Sequence, residues 1–307
     1  MYNDRDNAHK ETIMLILISD AFDKSLPEKL SVFGEVTTDT SRLAEADVVL
    51  IRSKTKATKE YIDEAKNMKL IIRGGVGMDN IDREYCKEKG IVATNTPRSS
   101  AIAVAELAFA LMLSTPNHIA YYDNTMKAGE WNKKVKRTEL YGKTLCLLGI
   151  GNIASKVAER ALAFGMKVVA YDKFVTSSPV AELMSLEEAV AQADYISMHL
   201  PFTPETDKMI NKDLIAKMTK KPVIINTGRG KCVNEADIVA ALESGDLAWY
   251  CTDVYSSEPP NKDENPLFQA KNITFTPHVG ANTNENLLRI GQEVYDTIEK
   301  YKKEGLF

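Results

Sequence analysis

The chain has 307 residues, 44% of them hydrophobic and 27% charged, with a formal net charge of −4. Such a length allows two domains with substantial cores, and such a balance argues against a disordered chain and against an electrostatic footprint for nucleic acid. No apolar run approaches the roughly 20 residues that a membrane-spanning helix needs, so neither nucleic acid nor membrane is expected as a partner.

In chain order, Tyr2 to Thr12 is a mixed polar segment without signal-peptide organisation, expected as a frayed extension. Strand-length apolar runs follow at 14–18, 48–52, 70–73 and 91–94, alternating with helical stretches such as 25–33 and 59–66, which is the pattern of an α/β unit. A long apolar helix is expected over 101–113, after Pro97-Arg98-Ser99-Ser100 and ending before Pro116, as a bridge between domains.

The next segment carries three separate requirements for holding a dinucleotide. Leu145-Cys146-Leu147-Leu148 is a buried-strand run, and Gly149-Ile150-Gly151 turns it into a helix whose third fingerprint position is Ala154. Gly149 permits the sharp reversal, Gly151 lets the main chain approach a pyrophosphate, and Ala154 lets helix and strand pack closely. The amides at the helix start meet the phosphate charge. Ile153, Val157 and Ala161 in one row, and Ala154, Ala158 and Leu162 in the next, form a stripe facing the sheet up to Gly165. A second strand, 167–171, ends at Asp172, which stands 21 residues after Gly151, where a ribose-binding carboxylate is expected. That carboxylate favours NAD over NADP, a preference that Lys173 beside it weakens slightly.

Further strands are expected at 195–198, 223–226, 248–253 and 273–275. The last segment, 284–304, has Leu287, Leu288, Gly291, Val294, Ile298 and Tyr301 at helical spacing. It is too isolated to stand alone, so it should cross back onto the first domain, leaving a cleft between two halves. The expected division is 1–98 plus 283–307 as a discontinuous substrate-binding domain and 99–282 as an NAD-binding Rossmann domain. The four cysteines, Cys86, Cys146, Cys232 and Cys251, have no paired spacing, so no metal site or redox pair is expected and a reduced cytoplasmic setting fits.

Three charged groups follow strands of the second half: Arg229 in Asn226-Thr227-Gly228-Arg229-Gly230, Glu258 before Pro259-Pro260, and His278 after Pro277. Ligands of open α/β sheets bind outside the carboxyl ends of the strands, so all three could face one site. A guanidinium can hold a substrate carboxylate and polarise the reacting oxygen, an imidazole can exchange its proton, and a carboxylate can orient that imidazole. Each group also has a plainer reading: a surface ion pair for Arg229, a solvated loop for Glu258, a structural role for His278. Among the histidines, His9 lies in the polar tail, His118 follows Pro116 and His199 ends a strand ahead of Pro201. His278 alone combines a loop position with Arg and Glu partners.

With these residues in view, nearly the whole chain resembles the D-isomer-specific 2-hydroxyacid dehydrogenases. The resemblance rests on Gly74-Gly75-Val76-Gly77-Met78-Asp79-Asn80-Ile81-Asp82, Asn95-Thr96-Pro97 leading to Ala105-Glu106, Gly129-Glu130-Trp131, the dinucleotide turn, His199-Leu200-Pro201, the Arg229 loop, Asp253-Val254-Tyr255 with Glu258-Pro259-Pro260, and Pro277-His278-Val279-Gly280-Ala281. It implies two Rossmann-like or flavodoxin-like domains with parallel sheets, NAD as cofactor and a homodimer. It implies His278 as acid/base, Glu258 as its partner and Arg229 as substrate anchor. Asn152 and Ile153 would touch the pyrophosphate, Leu200 and Pro201 border the adenosine, and Thr227, Gly228 and Asp253 lie near the nicotinamide, with Val76 and Gly280 also among the cofactor contacts. Main chain at Gly75, Val76 and Gly77 would meet the substrate carboxylate.

Within the family, Arg52-Ser53 with Lys54 and Lys56 resembles the substrate loop of members that oxidise 3-phosphoglycerate, where cations pair with a phosphate. Lys133, Lys134, Lys136 and Arg137 would add positive charge across the dimer contact, although both basic groups also fit a solvated face. Two positions depart from the frequent pattern: Ser100 stands where Asn is common, and Asn152 where Arg is common in the dinucleotide turn. No C-terminal module of the kind that carries serine sensing in longer members is expected. The alternatives are a glyoxylate or hydroxypyruvate reductase, a D-lactate-type enzyme, or a dinucleotide-sensing binding protein without turnover.

Overall fold

The computed structural model describes residues 13–307, so His9 and the polar segment expected to fray lie outside the described residues. Its elements run β1 (Leu15–Ile18), α1 (Leu26–Leu30), β2 (Glu35–Thr37), β3 (Val48–Ile51), α2 (Lys59–Glu64), β4 (Leu70–Arg73), α3 (Arg83–Glu88) and β5 (Val92–Asn95). There follow α4 (Ala101–Asn117), α5 (Ile119–Lys127), β6 (Thr144–Leu148), α6 (Asn152–Ala163), β7 (Lys167–Tyr171), β8 (Glu182–Leu183), α7 (Leu186–Ala191) and β9 (Tyr195–Met198). The chain continues through α8 (Lys212–Ile215), β10 (Val223–Asn226), α9 (Glu235–Ser244), β11 (Trp249–Thr252), β12 (Ile273–Phe275) and α10 (Asn284–Lys303). It divides into two compact units, one running to Ser99 and resuming over Asn284–Phe307, the other Ser100–Thr283.

The first unit is built on a five-stranded sheet of order β2-β1-β3-β4-β5, every pairing parallel. Parallel strands covered on both faces read as continuous apolar runs, which is why Leu-Ile-Leu-Ile and Val-Val-Leu-Ile are buried at every position. The two-residue period sends Leu15 and Leu17 to a core shared with Ile62 of α2 and Cys86 of α3, and Ile16 and Ile18 to a core shared with Leu26 and Leu30 of α1 and with α10. On α10, Ile290, Val294 and Ile298 are fully buried, each contributing roughly 1.5–3 kcal/mol of burial. The buried face differs from the expected stripe: Leu288 is 54% exposed, whereas Ile290 takes the inward place with Gly291, Val294 and Ile298. Arg289 fixes the rotation, its Nε donating to the Ser99 carbonyl at 3.0 Å, while the Ser99 hydroxyl bonds Glu293.

The second unit is built on a seven-stranded parallel sheet of order β12-β11-β10-β9-β6-β7-β8. Leu145 and Leu147 face a core containing Ala154, Val157, Ala158 and Ala161 of α6 and Ala105, Ala108 and Met112 of α4, while Cys146 and Leu148 face Val190 of α7 and Ile238 of α9. The alanines let α4 and α6 pack closely. The expected row Ala154, Ala158, Leu162 fails at its end, Leu162 being 46% exposed. An i to i+4 step drifts about 40° around a helix, so Leu162 has rotated off the face that Ala161 occupies. Helix α4 also runs further than expected, through Pro116 to Asn117. Pro116 lies in the last turn, where one lost hydrogen bond is tolerated, and the break comes at His118 in left-handed backbone (φ 51°).

Candidate active site

Because the sheet of the second unit is parallel, the loops after β6, β7, β9, β10, β11 and β12 all emerge at one edge. Strand β6 lies between β7 and β9, so the connections diverge to opposite sides there, the topological switch point at which such sheets bind ligands. Each residue expected in the second unit's site, from Gly149 to Gly280, lies on one of these loops or at the helix start that follows.

Gly149 has φ 89°, and a Cβ there would lie 3.1 Å from the His199 carbonyl oxygen. The turn is closed by Gly149 N–H donating to the Tyr171 carbonyl at 2.8 Å. Gly151 is different, since a Cβ would meet nothing within 4 Å. It precedes Asn152 and Ile153 at the start of α6 and provides no side-chain cap, which leaves room for a pyrophosphate at the positive end of the helix. On β7's loop, Asp172 Oδ2 accepts from Ile150 N–H at 2.9 Å, and Oδ1 accepts from Phe174 N–H at 2.8 Å and Val175 N–H at 3.0 Å. Partial burial raises its pKa, but these three backbone donors prevail and hold the carboxyl below its ordinary value.

His199 packs behind the glycine turn. Its N–H donates to the Leu148 carbonyl at 2.8 Å and its Nε2 lies 2.8 Å from the Ser197 hydroxyl. Burial of the ring pulls its pKa down from 6.5 to about 4. The neutral ring therefore supports the fold above the unfolded value of 6.5, and that support is lost as pH falls toward 4. Urea unfolding of the wild type should weaken by about 2–3 kcal/mol between pH 7 and pH 4.5 through this group alone. The variant His199→Gln should lack that increment, and an unchanged pH dependence would refute it.

Beyond β10, Asn226 is fully buried and ties the Arg229 loop to the strand end: its Oδ1 accepts from Gly228 N–H at 3.1 Å and its Nδ2 donates to the Arg229 carbonyl at 3.1 Å. Gly230 lies against main chain, for a Cβ there would be 2.0 Å from the Tyr255 carbonyl carbon. Thr227 Oγ1 is buried without a protein partner among the described residues, a hydroxyl free for a ligand amide where the nicotinamide is expected.

His278 and Glu258 meet, with His278 Nδ1 2.5 Å from Glu258 Oε2. The carboxylate is itself held, Oε1 accepting from Tyr255 N–H at 3.1 Å. Burial raises the Glu258 pKa, but the His278 hydrogen bond and charge, the Tyr255 amide and the nearby Arg229 charge outweigh it and leave it below the ordinary value. His278 sits in left-handed backbone (φ 54°), a conformation costly for a residue with a side chain. Asp253 holds it there. Only 2% exposed, Asp253 accepts from Val279 N–H at 2.9 Å, Gly280 N–H at 2.9 Å and the Thr276 hydroxyl at 2.7 Å. With Nδ1 committed to Glu258, Nε2 is left to exchange a proton with a ligand, the division of labour a general acid/base needs.

The substrate-loop candidates lie in the first unit, on adjacent strand ends. Asp20 accepts from Arg52 N–H at 2.5 Å, from Thr55 N–H at 3.1 Å and from the Thr55 hydroxyl at 2.7 Å. Asn80 Nδ2 donates to the Arg52 and Thr55 carbonyls at 2.6 and 2.7 Å. The Arg52 guanidinium is partly buried and donates to the Ala21 carbonyl at 3.2 Å, with Ser53 and Lys54 exposed beside it. Burial lowers the Arg52 pKa, with Asp20 opposing. After β4, Gly75 has φ 148° and rests on Arg73, a Cβ there lying 1.8 Å from Arg73 Nη1, and Asn95 Nδ2 donates to the Val76 carbonyl. Sequence reading missed the polar groups that hold these loops: Asp20, Asn80, Asn95, Asn226 and Thr276, together with Glu235, which accepts from Ser256 and Asn265 below the Glu258 loop. Apart from Asn226, whose partners Gly228 and Arg229 are close by, they reach partners about 20 or more residues away, which local sequence does not show.

A parallel sheet with a glycine turn, a carboxylate at the end of the strand that follows and a carboxylate-held histidine at one edge has the features of a dinucleotide-binding oxidoreductase. The family described as D-isomer specific 2-hydroxyacid dehydrogenase, NAD binding domain, matches residues 109–280. The chain is 45% identical over 262 residues to a hydroxypyruvate reductase of Thermotoga maritima, covering 84% of this chain and 85% of that protein. It is 39% identical over 300 residues to a D-3-phosphoglycerate dehydrogenase of Methanocaldococcus jannaschii, covering 93% of this chain but 57% of that protein, and it spans about half of the other curated phosphoglycerate dehydrogenases it matches. The crystal structure of a D-lactate dehydrogenase from Aquifex aeolicus with NAD and lactic acid superposes with a TM-score of 0.82 at 31% identity, covering 95% of this chain and 96% of that one. The chain belongs to the D-isomer specific 2-hydroxyacid dehydrogenases, NAD-dependent oxidoreductases, and NAD is its cofactor.

Proposed function

We propose that the chain oxidises D-3-phosphoglycerate to 3-phosphohydroxypyruvate, the first step of serine biosynthesis. NAD bound at the glycine turn would supply the acceptor for the C2 hydride. His278 Nε2 takes the C2 hydroxyl proton as the carbonyl forms and returns it in reduction, Glu258 keeps Nδ1 engaged, and Arg229 holds the substrate carboxylate beside the reacting carbon. Asn152 and Ile153 would lie at the pyrophosphate, Asp172 would take the ribose hydroxyls, Leu200 and Pro201 would flank the adenosine, and Thr227, Gly228, Asp253 and Gly280 would support the nicotinamide end. Gly75, Val76 and Gly77 offer main-chain donors to the carboxylate.

The observation that supports the choice of substrate is the Arg52 loop, whose main chain is pinned by Asp20 and Asn80, so that Arg52, Ser53 and Lys54 stand side by side as potential donors to a phosphate. The experiment follows NADH formation with 3-phosphoglycerate, D-glycerate and D-lactate side by side, in the wild type and in Arg52→Glu. With 3-phosphoglycerate, kcat/KM should fall by about 10²-fold or more in the variant, while D-glycerate is little affected. Equal indifference to both would favour the second reading, reduction of hydroxypyruvate without a phosphate pocket. The 45% identity to the Thermotoga maritima hydroxypyruvate reductase supports that reading.

The chain's self-association belongs to the same proposal, as a homodimer. Helix α5 buries none of its residues within its own unit, and Ile119, Met126 and Trp131 in and after it are 59%, 52% and 74% exposed. The basic residues Lys133 to Arg137 follow directly.

A further inference from the structure

The loops after β7 and β9 flank the glycine turn from either side, because β6 lies between those two strands. One ion pair ties the flanking loops together: Lys173 Nζ lies 2.6 Å from both carboxylate oxygens of Glu205. Glu205 is held for this contact by a hydrogen-bonded turn, in which the Thr206 hydroxyl donates to the Pro201 carbonyl at 2.7 Å and Asp207 N–H donates to the Thr203 carbonyl at 3.0 Å.

NAD and NADP differ by a phosphate on the adenosine ribose, at the end of the coenzyme that Asp172 faces. Lys173, next in the chain, is the cation that a 2′-phosphate would seek. Asp172 serves a second purpose, clasping Ile150, Phe174 and Val175, so the carboxylate usually credited with the choice of coenzyme cannot be altered without loosening the turn. We propose that Glu205 is the specificity-determining residue: by occupying Lys173 it withholds that ammonium from a 2′-phosphate and adds a second negative charge at the ribose. Two carboxylates then outnumber one ammonium, a setting that accepts ribose hydroxyls and repels a dianion.

The proposal rests on the coenzyme site and not on the choice of hydroxy acid, and its test needs no substrate. Calorimetric titration of coenzyme-free protein with 5′-AMP and with 2′,5′-ADP compares the wild type, Glu205→Gln, and Glu205→Gln combined with Lys173→Ala. Glu205→Gln should tighten 2′,5′-ADP by about tenfold and leave 5′-AMP within about twofold, and the double variant should lose the gain. The proposal falls if Glu205→Gln leaves 2′,5′-ADP binding unchanged, if both nucleotides tighten alike, or if the gain survives removal of Lys173.

Discussion

Replacing His278 with Ala should lower kcat by about 10²- to 10⁴-fold, the range attributable to one positioned proton-transfer group, while the dissociation constant for NADH stays within about threefold. The separation is expected because the loop's geometry does not depend on the imidazole. Asp253 grips Val279 and Gly280 by their amides and Thr276 by its hydroxyl, so the backbone stays in place when the ring is removed. The ring is also substantially exposed, at 44% of its side-chain surface, and its removal leaves no core cavity. What is lost is the Nε2 proton exchange and the hydrogen bond that Glu258 receives. Steady-state kinetics on the best-used hydroxy acid, with NADH binding measured separately by fluorescence, decides the matter. Turnover close to wild type would remove His278 from the chemistry, and a parallel collapse of NADH binding would reassign it to the fold.

The parts of this site legible in the sequence are those whose signal is local. The glycine turn, the apolar strand before it and Asp172 at the end of the next strand are one continuous segment, and the strands at Lys167–Tyr171, Tyr195–Met198 and Val223–Asn226 fall where their apolar runs ended. Two edge strands left no such trace. Glu35–Thr37 is at most partly buried and Glu182–Leu183 is only two residues long, so neither needs an apolar run. Helix α5 lacks a buried face altogether, and without one periodicity has nothing to report. The rotation of α10 is not legible in the sequence because Leu288 and Ile290 are both strongly apolar, and the tie between Arg289 and Ser99 that accompanies the observed rotation spans 190 residues. The same distance problem hid Asp20 beneath the Arg52 loop, Asp253 beneath the His278 loop and Glu205 opposite Lys173.

Arg229→Ala should reduce kcat/KM by about 10²- to 10³-fold, roughly the 3–4 kcal/mol associated with deleting one electrostatic donor at a reacting oxygen. The loop should keep its course, since Asn226 holds Gly228 and the Arg229 carbonyl, and Gly230 lies tight against Tyr255; only the guanidinium is withdrawn. Arg229→Lys should recover a minor part, because an ammonium supplies charge without the planar fork that matches a carboxylate. A second readout separates charge from steric loss. Burial raises the Glu258 pKa, and Arg229 is among the influences that hold it down. Withdrawing Arg229 should therefore let that pKa rise, moving the acid limb of the pH profile of kcat/KM to higher pH in Arg229→Ala and less in Arg229→Lys. If Arg229→Lys matched the wild type in both rate and profile, a diffuse positive charge would suffice and the anchoring role would be wrong. If both variants lost NADH binding in proportion to rate, Arg229 would belong to the coenzyme site instead of the substrate carboxylate.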